Sequence, residues 1–338
     1  MRICHLAYDD IGNTAWLSGG GAVRAWEIYR RLARRHEVTL ITGYYPGAAR
    51  QEVREGVRFV RVGTDRSYAL SRLSYSLGAL AALKRLEWDV WVHEFSAFAP
   101  LFPGPALRRR GILFFYHFVG AHALKKHPLV GAPAWAAESW TLRAYQRILT
   151  ISPSVHSQVK ERLDGRRNSP QVECVLTGVD AGYFSLEPVE EDYLLYFGRS
   201  DIHTKGIDVL LGAFAALVAD FPNLRLKMAG HTNPVSRRAL EELVRQSGVG
   251  DRVDVLGGVE DGQKRELLRR ALFVCMPSRY EGWGIVAVEA AAAGKAVVGT
   301  RVSGLVDAVR ADETGLLVES GSVPQLEAAM RRLLLDRE

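Results

Sequence analysis

In the stretch SRYEGWGIVAVEAAAAGKAVV, residues 278–298, a run of Ala and Val carries two carboxylates, Glu281 and Glu289, eight positions apart. From Ile285 to Ala293 the run is apolar on every side except at Glu289, the pattern of a helix buried between other layers. A carboxylate there has lost much of its water, so it needs a partner or becomes neutral. The residue types leave two partners open: an Arg or Lys of the protein, or a ligand. Gly282-Trp283-Gly284 keeps the backbone open at the helix start, where free amides can meet a ligand. At 1.5 Å per residue Glu289 lies roughly 7 Å into the helix. Two carboxylates so spaced can accept hydrogen bonds from hydroxyls at two places on one elongated ligand.

Three further loops carry candidate chemistry. GRSDIHTKG, residues 198–206, brackets a short turn with Arg199 and Lys205 ahead of a helix. Two cations at a helix start make a diphosphate clamp, although surface charges on a loop look the same in isolation. WLSGGGAVRAW places Gly19, Gly20 and Gly21 just before another helix, where amides can approach an anion. It is not a full GxGxxG, and the next strand ends without the acidic residue that would hold a nicotinamide cofactor's ribose. His117 closes the apolar run ILFFYHF, a place where histidines are more often packed than catalytic.

The elements that must position these loops alternate. RICHLAY, EVTLITG, VRFVRVG, DVWVHEF, ILFFYHF and RILTIS read as strands in the first half. YLLYFGR, LRLKMAG, RVDVLGG, LFVCMPS, AVVGT and GLLVES do so in the second, with helical patterns between. Such continuously apolar strands belong to parallel sheets covered on both faces. Two blocks of this kind predict two doubly wound α/β domains, residues 1–185 and 186–338, with the acidic, Pro-containing 185–192 as linker. Ligand loops follow strands in such sheets and are expected to face each other across a cleft.

Composition fits this: 338 residues, 48% hydrophobic and 24% charged, above the size at which single cores stop growing. No apolar run is long enough to span a bilayer, and Asp9 and Asp10 come too early for a signal-peptide core, so a cytoplasmic protein is expected. Cys4, Cys174 and Cys275 each sit in a strand-like run without CxxC spacing and are expected to be buried thiols. Residues 1–185 hold 25 Lys+Arg against 15 Asp+Glu, residues 186–338 hold 19 against 23. The excess lies in 30–35, 108–110 and Lys125-Lys126. Solvated helix faces account for each cluster alone; together they allow an anionic partner, a membrane surface rather than nucleic acid.

At this point the chain resembles the retaining glycosyltransferases of family 4, glycosyl transferases group 1, which have the GT-B fold. The resemblance rests on five stretches in order: GGG, VECVLTGVD, LLYFGRSDIHTKGIDVLLGAF, VLGGVE and PSRYEGWGIVAVEAAAAGKAVVGT. It implies that Arg199 and Lys205 bind the donor diphosphate, and that Glu289 bonds the nucleotide's ribose and Glu281 the sugar hydroxyls. It also implies donor contacts from Gly198, from Gly282, Trp283, Gly284 and Ile285, and from the backbone of Val259, which reads the base. His117 would sit beside the sugar, and Gly20 and Gly21 in the loop that closes over donor and acceptor. Thr177, Trp283 and Asp307 stand where the family usually has Asn, Phe and Glu.

The implied reaction moves a sugar, with retention, from a nucleoside-diphosphate sugar (UDP- or GDP-linked) to a hydroxyl acceptor that is a glycan, a lipid-linked molecule or a small molecule. Neither cofactor nor metal is expected, since cations and helix amides stabilise the leaving diphosphate, and the chain has no Asp-x-Asp triplet. An epimerase or phosphorylase on the same scaffold, and a non-catalytic nucleotide-sugar binder, remain as alternatives.

Overall fold

A computed structural model describes every residue except 14, 17–18, 120–127, 166–168 and 337–338, together with the side chains of 128–130. The basic pair at 125–126 therefore lies outside the described residues. The chain divides into two compact units, Met1–Leu176 and Thr177–Glu338.

The first unit is built on an eight-stranded sheet: β1 (Arg2–Leu6), β2 (Glu37–Gly43), β3 (Gln51–Arg54), β4 (Val57–Val62), β5 (Val90–Glu94), β6 (Gly111–Phe115), β7 (Arg147–Thr150) and β8 (Gln171–Cys174). Their order is β3-β4-β2-β1-β5-β6-β7-β8, parallel throughout except for the β3–β4 pair. All six strands expected from apolar runs are present. β3 is unexpected and β8 falls on the strand-like run around Cys174; both are edge strands with little burial, so they need no apolar signature. Cys174 ends β8 and is exposed, contrary to the expectation of a buried thiol; Cys4 and Cys275 are buried. The strand-like run around Cys174 packs on one side only.

The second unit holds β9 (Tyr193–Phe197), β10 (Arg225–Ala229), β11 (Val253–Gly257), β12 (Val274–Met276), β13 (Val297–Thr300) and β14 (Gly315–Val318), all parallel, in the order β11-β10-β9-β12-β13-β14. These are the six strands expected in this half. The chain builds outward from β9 in one direction and from β12 in the other, so the order reverses between them. The carboxyl ends of β9 and β12 therefore mark the switch point, the place where doubly wound sheets bind ligands. Behind it, helix Ile207–Leu217 is buried along most of its length against β9 and β10 in one core cluster.

The stretch 185–192 is not a free linker. Val189 and Glu191 donate backbone hydrogen bonds to Arg269 and Arg270 O at 3.1 and 2.9 Å, and buried Lys295 reaches Glu190 at 3.3 Å. The preceding turn, Ala181–Tyr183, buries Tyr183 among Tyr193, Leu195 and Leu268. These contacts tie the segment to the second unit, and the division falls ahead of it at 176/177. Among the described residues no helix is long and apolar enough to cross a membrane.

Candidate functional site

The β9 and β12 loops are pinned to each other by close backbone approach. Gly206 joins the short helix Ile202–Lys205 to helix Ile207–Leu217 at φ 65°. A Cβ on Gly206 would lie 2.0 Å from Pro277 O, so only glycine lets the two loops touch. Asp201 caps the short helix through Thr204 N at 3.1 Å, and Arg279 N returns a bond to Thr204 O at 3.0 Å. Arg279 also grips Asp208 with both terminal nitrogens, at 2.7 and 2.6 Å. The Tyr196 hydroxyl donates to Arg199 O at 2.7 Å and so fixes the loop just after Gly198.

Lys205 is thereby delivered to Glu281, Nζ to Oε2 2.6 Å, with Ser278 Oγ at 3.4 Å from the same oxygen. Arg199 is exposed and its guanidinium makes no ion pair among the described residues. One of the two sequence-assigned cations is thus open, and the other is held by the carboxylate assigned to the sugar.

Glycine also shapes the start of helix Ile285–Ala292. Gly284 caps it at φ 73°, where a Cβ would meet Leu305 Cδ2 at 2.7 Å, and no side chain caps the first amides. The Trp283 indole nitrogen is buried and has no hydrogen-bond partner among the described residues. Along the helix, Ala287, Glu289 and Ala290 are buried and the other positions half-buried, so the helix is less enclosed than its composition suggests.

Glu289 faces Lys264, Nζ to Oε1 2.6 Å, and both side chains are largely buried. Its second oxygen, Oε2, is buried and makes no hydrogen bond of normal geometry among the described residues, although the Tyr183 phenol lies close enough to favour the ionised carboxyl. Burial pushes the Glu289 carboxyl above its usual range, and Lys264 opposes that push. Val259 is half-buried in the loop between β11 and the helix Asp261–Arg270 that carries Lys264. Lys264 was missed from the sequence because a lysine in an amphipathic helix looks like any solvated one. The protein cation left open as Glu289's partner is present, and it satisfies one of the two oxygens.

Of the remaining sequence-assigned residues, Gly20, Gly21 and His117 belong to the first unit. Gly20 opens helix Gly20–Leu32; a Cβ on Gly21 would lie 3.2 Å from Tyr116 Oη and 3.3 Å from Glu94 Oε1. Tyr116 donates to Glu94 Oε2 at 2.9 Å, and His5 Nε2 lies 3.3 Å from that oxygen. A side chain at Gly21 would press on a polar cluster at the ends of β1, β5 and β6. Sequence reasoning passed over Glu94 and Tyr116; the available signal was a glutamate closing an otherwise apolar strand. His117 is half-buried, just past β6.

Two doubly wound units, each with its ligand loops at the carboxyl ends of its strands, define the class, and comparison with known proteins defines the family. The sequence models for "Glycosyltransferase Family 4" and "Glycosyl transferases group 1" match residues 18–182 and 184–338. The chain belongs to this glycosyltransferase family. It is 27% identical over 291 residues to a glycogen synthase of Mycobacterium tuberculosis, covering 84% of this chain and 65% of that protein. It is 31% identical over 196 residues to an MMP alpha-(1->4)-mannosyltransferase of Mycolicibacterium hassiacum, covering 57% of this chain and 46% of the relative. The chain thus spans under two thirds of the length of either relative. A sucrose-phosphate synthase structure from Thermosynechococcus elongatus shares the GT-B fold, with TM-score 0.79 at 21% identity over 99% of this chain and 90% of that one. So does HepE of Anabaena, solved with UDP and glucose, with TM-score 0.73 at 16% identity over 100% and 90%.

Proposed function

We propose that the protein transfers a sugar, with retention, from a nucleoside-diphosphate sugar to a hydroxyl acceptor, without a metal ion. The observation that carries this reading is the assembly of Arg199, Lys205, Glu281, an uncapped helix start and Glu289 at the β9–β12 switch point. The diphosphate takes the cations and the helix amides, which stabilise the charge that builds on it as the sugar leaves. Lys205 then exchanges Glu281 for phosphate, and Glu281 is freed to accept from sugar hydroxyls. Glu289 Oε2 accepts from the ribose. His117, Gly20 and Gly21 serve the sugar and acceptor side. A nucleoside-diphosphate donor agrees with the UDP and ADP complexes among the structural neighbours.

A screen of UDP-, GDP-, ADP- and dTDP-sugars, read by nucleotide release with and without hydroxyl acceptors, tests the reading. Acceptor-dependent release supports it. Turnover of donor alone indicates an epimerase, phosphate-dependent release a phosphorylase, and binding without turnover a non-catalytic binder. We read the protein as cytoplasmic, and the basic excess of its first half further supports an anionic membrane surface as a partner. The protein should sediment with anionic vesicles more than with neutral ones at low salt, and equal sedimentation would remove this reading.

A further inference from the structure

We propose that Lys264 is a positioning residue for the nucleotide: it occupies one oxygen of Glu289 and leaves the other as the acceptor for a ribose hydroxyl. The inference rests on the donor reading above and adds to it a residue that no motif assigns.

The geometry carries the argument. The helix Asp261–Arg270 is fixed at its start by a reciprocal cap between Glu260 and Gln263, and Lys264 N bonds Glu260 O at 2.9 Å. From that turn the Lys264 ammonium reaches inward, 4.8 Å from the Phe197 ring centroid and 5.8 Å from that of Tyr183. A lysine that served only solubility would extend into water. This one ends on Glu289 Oε1 at 2.6 Å, between rings that restrict its rotamers. Phe197 is the last residue of β9, so the clamp is built on the switch-point strand itself.

The charges facing Glu289 are few. Helix Asp261–Arg270 supplies Lys264 and, farther off, Asp261; the Ala181–Tyr183 turn supplies the Tyr183 phenol; the helix Ile285–Ala292 carries no other charge. Lys264 is the sole cation among those groups. With it removed, burial and Asp261 both drive Glu289 toward its neutral acid. Its presence favours the ionised carboxylate, which only accepts hydrogen bonds. The group that meets Oε2 must therefore donate, as a ribose hydroxyl does and a phosphate dianion does not; the Tyr183 phenol beside the carboxyl is a donor too, but makes no bond of normal geometry to Oε2. Discrimination between a ribonucleotide and its 2′-deoxy form is the expected consequence.

Calorimetric titration of the full chain with UDP, GDP and ADP, and with the 2′-deoxy form of the tightest binder, tests this. Lys264→Met is expected to weaken binding at pH 7.5 by about tenfold or more and to erase most of the preference for the 2′-hydroxyl, with Lys264→Arg within about threefold of wild type. The pH below which affinity falls should move upward in Lys264→Met, because Glu289 protonates more readily there; a lysine that merely packs would leave that midpoint in place. Lys264→Met should add little to Glu289→Gln in the double variant. Lys264→Gln replaces Lys264→Met if apo melting shows the latter unfolded. Wild-type affinity, 2′-hydroxyl preference and pH midpoint in a folded neutral variant would overturn the role of Lys264 alone. Failure of the wild type to bind any of the three nucleotides would overturn the donor reading and this one with it.

Discussion

Asp10–Arg61 in the first unit and Lys264–Glu289 in the second are both largely buried ion pairs, yet one is complete and the other is not. Asp10 Oδ2 accepts from Arg61 Nε and Thr42 Oγ1, each at 2.8 Å, and Oδ1 from Gly12 N at 2.8 Å. Arg61 spends its other nitrogens on Ala49 O and Glu52. Glu289 has one oxygen on Lys264, while the other makes no hydrogen bond of normal geometry among the described residues and has only the Tyr183 phenol beside the carboxyl to favour its charge. A buried polar group left unpaired costs stability, so a complete pair is explained by the fold, whereas the incomplete one keeps an acceptor to offer a ligand. Residue type and burial alone do not separate the two cases; the count of bonds does.

The comparison breaks if the complete pair proves dispensable. Asp10→Ala should destabilise the protein by about 3–5 kcal/mol, because Arg61 is left in a buried site without its main counter-charge. Urea denaturation of the apo protein measures this, and a change under about 1 kcal/mol would put Asp10 outside the stability argument.

Glu289→Gln sharpens it from the other side. An amide still accepts from Lys264 but loses the charge-assisted bond to ribose, so nucleotide affinity should fall by roughly 1–3 kcal/mol. Apo stability should hold or rise. The folded Glu289 carboxyl titrates above its ordinary value of 4.5, so the wild type loses stability as pH rises from there through the raised value, and Glu289→Gln lacks that loss. Melting curves of both proteins across pH 4–8, in which the difference between them shrinks toward low pH, are the expected result. A large apo destabilisation with unchanged nucleotide affinity would make Lys264–Glu289 a structural pair like Asp10–Arg61.

Arg199→Ala and Lys205→Ala should each lower kcat/KM by at least about tenfold, ~1.4 kcal/mol, with the fold intact. Arg199 is exposed and makes no ion pair among the described residues, so its removal should leave the melting temperature unchanged. Near-wild-type kinetics in both variants would withdraw the diphosphate assignment. The smallest effect is expected from excess EDTA, which should leave turnover unaltered. Loss of turnover with recovery on adding Mg²⁺ or Mn²⁺ would contradict the metal-free mechanism.

Much of this was written in the sequence. Every strand covered on both faces had to be apolar along its length, so twelve of the strands could be read directly, including β9 and β12. Glycines at Gly206 and Gly284 and the polar residues of 198–206 and 278–289 sit immediately after those strands, so local order alone placed the candidate loops. Edge strand β3 carries no such run and was not legible; the strand-like run around Cys174 does hold β8, but as an exposed edge strand, which left Cys174 in solvent.

What the sequence could not hold was which charges meet. Lys205 and Glu281 lie 76 positions apart and Lys264 and Glu289 lie 25 apart, separations that no helical or strand period encodes. The apolar run around Glu289 required a partner without naming it. Only the packing of helix Asp261–Arg270 against β9 and helix Ile285–Ala292 made that partner Lys264, and only the three-dimensional arrangement left one oxygen over. Periodicity is a property of neighbours along the chain, whereas the satisfaction of a buried charge depends on everything that surrounds it in space.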